Sequence, residues 1–200
     1  MNLLPKKVIT IISSLLILCL MYFGSYLPLR KSQLYIKAMF DFQSGKVHSV
    51  QDFTNLFGSA LNFRSPIGRD EAVSYYFGIL ANVINQQTNG QVIEVLLKES
   101  EKWMEPILKA QKGFGFSQNL YNFAMVYKIA AQKLNSDVYF QKSIDLFNEG
   151  LKNSPNRLIF LSGLFDIYRI KGDKGKMKEI GETILKYWPD DENIKKLMQL

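Results

Sequence analysis

The chain has 200 residues, 47% hydrophobic and 22% charged, with 25 Lys and Arg against 18 Asp and Glu for a net charge of +7. This length suits one domain plus an attachment, and the composition is near the globular average, with ample aromatics for a core. A single cysteine, Cys19, excludes an intrachain disulfide, and the scattered lysines, with no glycine-rich phosphate loop, fit a solvated surface better than a nucleic-acid site.

Val8 to Leu27 is a run of twenty residues without a charge. About 20 apolar residues suffice for a helix to cross a bilayer. Lys6 and Lys7 flank one end, and Arg30, Lys31 and Lys37 the other. Tyr22 and Tyr26 lie near the second boundary, where amphipathic rings prefer the headgroup level. A retained single-pass anchor over residues 1–29 is favoured over a cleaved signal, for which Gly24-Ser25 is a poor site. Leu18 before Cys19 does not fit a lipoprotein site. Both flanks are basic. The short N-terminus and its amine favour an inside N-terminus, with residues 30–200 on the extracytoplasmic side.

The remaining chain reads as helices separated by breakers. Pro28 is expected to end or kink the membrane helix. Leu29 to Phe42 follows, with Leu34, Ala38 and Asp41 on one side, and Gly45 breaks it. Val47 to Phe63 places Phe53, Phe57, Ala60 and Leu61 inward, and Ser65-Pro66-Ile67-Gly68 is a turn. Asp70 to Gln87 is next, with Phe77, Gly78 and Ala81 where another helix would come close. Asn89-Gly90 turns into Gln91 to Lys112, whose stripe is Ile93, Leu97, Met104 and Leu108. Pro106 should kink that helix or start a new one. Gly113 to Phe116 is a connector whose aromatics plug a gap between repeats.

Ser117, a plausible N-cap, opens a helix to Leu134 with the stripe Leu120, Phe123, Ala124, Tyr127, Ala131 and Leu134. Val138 to Lys152 places Phe140, Ile144, Phe147 and Leu151 inward, with Ser143 and Gly150 as small residues on that side. A hairpin follows. Leu161, Leu164, Phe165 and Tyr168 form one stripe, Gly172-Asp173 breaks it, and Met177, Ile180, Gly181, Ile184 and Trp188 form the second before Pro189. Glu192 to Leu200 is a short closing helix. No segment alternates with period two, so the domain is expected to be all-α. A hairpin with two apolar stripes cannot bury both alone and needs neighbours of its kind.

Pro155 and Pro189 stand 34 residues apart, the tetratricopeptide period. LSGLFDIY (161–168), KGD (171–173) and YWPDD (187–191) resemble the first helix, turn and ending of that repeat. Phe165, Met177 and Ile184 occupy slots where the family usually has small residues, which implies wider crossings. The preceding unit also resembles the family through LYNFAMVY (120–127) and FQKSIDLFNEGLKNSPN, with KIAAQKL as about seven extra residues. Equivalent slots at Leu34, Ser74, Leu120 and Leu161 are 40, 46 and 41 residues apart, so the resemblance implies an α-solenoid of about four irregular helical hairpins. A second likeness covers nearly the whole chain. The anchor, Pro28-Leu29-Arg30, SQLYIKAMFDFQSGK and ALNFRSPIGRDEA are similar to the tail of certain bacterial O-antigen ligase family membrane proteins. The membrane core that performs glycan transfer in that family has no counterpart here, so no catalytic residue is carried over.

His48 stands near a helix start, where a surface or capping role is expected. One histidine and one membrane-embedded cysteine serve a triad or histidine-based metal site poorly. No cofactor or metal is expected, and the chain is not expected to be an enzyme. Binding is the positive expectation. Stacked helical pairs curve, and their first helices line a concave face used for extended partners. The outward positions there are Tyr75, Ile79 and Asn82, then Tyr121, Asn122, Met125 and Lys128, then Ser162, Asp166 and Arg169. The expected role is a membrane-anchored scaffold for protein partners at the cell envelope, among them a polytopic glycan-assembly protein. The rivals are an accessory or detached part of a ligase or polymerase, and a secreted soluble repeat protein.

Overall fold

The structure, a computed structural model, describes residues 6–111 and 115–199; the connector residues Gly113 and Phe114, the end of the fourth soluble helix at Lys112 and the terminal Leu200 lie outside them. The described residues form helices joined by short turns, with no strand, and the chain falls into two compact units, residues 1–73 and 74–200.

The first unit begins with α1 (Lys6–Met21), runs through a π-helical turn (Tyr22–Tyr26) and continues as α2 (Leu27–Gln43). Together they make one helix of 38 residues, long and apolar enough to span a membrane, and none of its most apolar stretch is buried. Pro28 therefore neither ends this helix nor separates the anchor from the next element. Proline normally breaks a helix because it lacks an N–H and its ring meets the carbonyl four residues back. Here the wider π turn precedes it, with the Leu27 N–H donating to the Tyr22 carbonyl, and Pro28 falls in the first turn of α2, where its missing donor costs little.

Helix α3 (Val50–Asn62) folds back on α2. It starts three residues later than its apolar stripe predicts, because Ser49 caps it: the Asp52 N–H donates to Ser49 Oγ, and the His48 N–H donates to the Asp52 carboxylate. The pair is a reciprocal N-terminal cap, and it accounts for His48 through its main chain. Phe53, Phe57, Ala60 and Leu61 are all buried, as expected. Phe42 and Tyr35 of α2 close on them, with Phe42 5.8 Å from Phe53 and 6.0 Å from Phe57 between ring centres.

Helix α4 (Arg69–Gln86) contains the boundary between the units. The second unit continues with α5 (Gly90–Ala110), α6 (Phe116–Leu134), α7 (Asp137–Asn153), α8 (Leu158–Lys171), α9 (Lys174–Tyr187) and α10 (Glu192–Met198). From α5 onward consecutive helices pack on each other, most extensively α6 on α7 and α8 on α9. Asn89, Ser136, Asp173 and Asp191 cap helix starts with their side chains. Gly172 ends α8 at φ +70°, a left-handed conformation that glycine adopts without penalty. α5 runs on through Pro106, so no new helix starts there. α6 starts at Phe116 with Gly115 before it, so Ser117 is not its cap.

The core of this unit is threaded by rings. Phe77 of α4 stacks on Phe123 of α6 at 4.7 Å, Phe123 meets Tyr127 at 4.6 Å, and Phe147 of α7 meets Phe160 of α8 at 6.4 Å. α7 and α8 approach through glycines used reciprocally. The Phe147 ring lies over Gly163 and the Phe160 ring over Gly150, each closer than a Cβ could tolerate. Gly78, read as a close-approach position, instead faces open space with nothing within 4 Å of a Cβ built there. At the C-terminal end Phe165, Leu161, Ile184 and Ile194 form a buried cluster covered by Trp188, Leu197 and Met198. The large Phe165 is accommodated against Gly181, where an added Cβ would stand 3.1 Å from the ring.

Candidate functional site

The first helices of the predicted hairpins in the second unit are α4 from Ser74 onward, α6 and α8. Their adjacency comes from direct bonds. Asn122 Nδ2 of α6 donates to the Ser74 carbonyl at 3.0 Å and to Ser74 Oγ at 2.8 Å on α4. Lys128 Nζ of α6 donates to Asp166 Oδ2 of α8 at 2.6 Å, and the Arg169 guanidinium holds Asp166 Oδ1 from the other side, with Nη2 at 2.5 Å and Nε at 3.2 Å. Tyr121 reaches the Phe147 ring at 6.2 Å.

These bonds divide the ten expected contact residues. Asn122, Lys128 and Asp166 tie first helices to one another. Lys128 is buried, at 9% exposure, so its charge faces Asp166 rather than solvent. Burial alone would disfavour the Asp166 carboxylate, but hydrogen bonds from Lys128 and Arg169 outweigh it and hold its pKa below the ordinary carboxylate range. Tyr121, Met125, Ile79 and Ser162 are half-buried. Tyr75, Asn82 and Arg169 are exposed, and Tyr75, at 65%, is among the most exposed large side chains outside the anchor. Of the ten, only Lys128 is buried, and Asn122 and Asp166 are half-buried with their polar groups engaged by Ser74, Lys128 and Arg169.

A second polar cluster escaped the stripe analysis. The Tyr127 hydroxyl donates to Glu101 Oε1 at 2.5 Å, Lys142 Nζ donates to the same oxygen at 2.8 Å, and Lys142 lies 5.1 Å above the Tyr127 ring. It joins α5, α6 and α7. Burial and the Glu101 carboxylate push the Tyr127 hydroxyl pKa well up, so it stays a donor. Glu101 is penalised by burial, yet hydrogen bonds from Lys142 and Tyr127 bring its pKa down. Its residues lie 26 and 41 apart in sequence, and no local pattern connects them. Ser143, buried between α6 and α7, donates from Oγ to the Ala124 carbonyl at 2.7 Å and completes the lock.

In the first unit, Lys31 differs from its sequence reading as a membrane-flanking cation. It is 4% exposed, and its Nζ donates to the Phe63 carbonyl at the end of α3 at 2.9 Å. Burial, aided by the nearby Arg69 cation, lowers its pKa. Ile36 and Phe40, one turn apart on α2, remain exposed at 65% and 66%. Among the described residues no three His, Cys, Asp or Glu side chains converge as metal ligands would. No protein-family model, curated protein or solved structure matches the chain.

Proposed function

We propose that this chain is a membrane-anchored scaffold of the tetratricopeptide kind, which binds a protein partner at the cell envelope through the face of α4, α6 and α8. The observation that carries this reading is a helix whose most apolar stretch is unburied, joined to helices whose first members are bonded side by side. Such a row leaves aromatic and polar side chains facing outward, the composition that suits a peptide segment. The resemblance of residues 117–190 to tetratricopeptide repeats supports a curved stack. The likeness of the anchor and following segments to O-antigen ligase tails supports a partner in surface-polysaccharide assembly, with the helical domain on the outer face.

The test is affinity purification of the full-length chain from cross-linked native membranes. A polytopic glycan-assembly protein should be recovered with it. Tyr75→Ala combined with Arg169→Ala should reduce recovery while leaving helicity unchanged, since both side chains are exposed. Recovery unaffected by this pair would place the contact elsewhere. A mature N-terminus near Ser25 would replace the anchor with a secreted form.

A further inference from the structure

We propose that the turn between α3 and α4 is a second membrane contact: Ile67 seats at headgroup depth, and Arg64 and Arg69, with Arg30 of α2, engage the phosphates of anionic phospholipids. The proposal rests on the anchor reading and adds a surface to it.

Lys31 stands four residues beyond Leu27, the end of the uncharged run, which is about 6 Å along a helix axis. The headgroup layer is about 5–8 Å deep on each side of the hydrocarbon. The turn is fixed at the level of Lys31 from both ends. Phe63 accepts the Lys31 bond at 2.9 Å, and a Cβ at Gly68 would stand 3.6 Å from Lys31 Cδ. A helix crossing the bilayer over 8–27 therefore brings this turn to the headgroups without further adjustment.

Ile67 is 61% exposed at the tip of a turn, beside exposed Pro66, an arrangement that burial in water-soluble packing does not explain. Arg30, Arg64 and Arg69 are all exposed, whereas Lys31 is turned inward, so these arginines are left to face the lipid. Guanidinium groups bind phosphate oxygens in a bidentate fork. Asp70 and Glu71, in the first turn of α4, oppose them only in part.

The full-length chain with Cys19→Ser and Ile67→Cys, labelled with an environment-sensitive fluorophore, is reconstituted into phosphatidylcholine vesicles with or without phosphatidylglycerol. Brominated acyl chains serve as quencher. A Gln43→Cys label, sixteen residues beyond Leu27 and about 24 Å along the helix, is the control. The label at 67 should be quenched, more so with phosphatidylglycerol, and the label at 43 should not. Arg64→Ala or Arg69→Ala should each lower the docked-to-undocked ratio about fivefold in the anionic vesicles. An unquenched label at 67 on protein that still floats with vesicles after carbonate treatment overturns the docking and leaves the anchor standing. Protein that does not float removes the anchor and the docking with it. Shielding in native membranes but not in pure lipid means a protein covers the turn, and overturns the lipid reading.

Discussion

At Asp166 one carboxylate is held by two cations from different helices, and its role shifts from partner contact to internal tie. Its folded pKa lies below its unfolded one, so the unfolded chain binds the extra proton as pH falls. The stability it supplies is fully present above the ordinary carboxylate pKa of about 4, and is lost as pH falls through the lower folded value. Asp166→Asn should therefore lower the melting temperature of the detergent-solubilised chain most near neutrality, with the gap closing under acid, as followed by circular dichroism. A gap constant across pH would mean the ion pair contributes nothing. Leu164, 2% exposed, tests packing at the same scale. Leu164→Asp puts an unpaired charge in the core and should unfold the last two hairpins; unchanged helicity would reject the packing of α8.

Between elements, the size of a residue matters only against what faces it. A helical glycine replaced by alanine normally gains stability, up to about 1 kcal/mol. Gly78→Ala, in open space, should follow that rule, whereas Gly163→Ala must push the Phe147 ring and should lose about 1–3 kcal/mol. Phe147→Leu should recover part of that loss in the double variant. Denaturant titration of the four proteins measures both signs. Gly78 and Gly163 with the same sign would refute the α7–α8 fit. The π turn before Pro28 follows similar logic. A proline that would break an isolated helix is tolerated where the preceding turn has already widened.

For the whole molecule, the 38-residue helix dominates, because its most apolar stretch is left unburied while its later half packs on α3. The full-length chain should resist carbonate extraction from membranes. Replacing Leu15, Leu16 and Ile17 with lysines should move it to the soluble fraction, since a charge at mid-bilayer costs about 3 kcal/mol in insertion. Wild-type chain in the carbonate supernatant would refute the anchor and every interpretation resting on it. The scaffold reading belongs to this scale too, since a binding face made of α4, α6 and α8 exists only once those helices stand side by side.

What residues 1–200 determined by themselves is what short-range physics writes locally. Period-3.6 stripes located the helices of the soluble part, and most stripe residues of α3, α6 and α7 are buried, although Leu134 and Leu151 are only half-buried and Asn119, Val126, Lys128 and Ala130 are buried off the stripe. Asp173 and Gly172 marked the turn between α8 and α9, and an uncharged run marked the anchor. Tertiary structure decided the rest. Lys31 reads as a membrane-flanking cation and Lys128 as an outward contact until a carbonyl 32 residues away and a carboxylate 38 residues away claim them. Gly78 and Gly163 look alike along the chain but differ in whether an aromatic ring arrives from another helix. The reason is register. A stripe tells a helix which side to bury, but not which neighbour's side chain will meet each position, and at the expected contact face that meeting decides which residues remain free to bind.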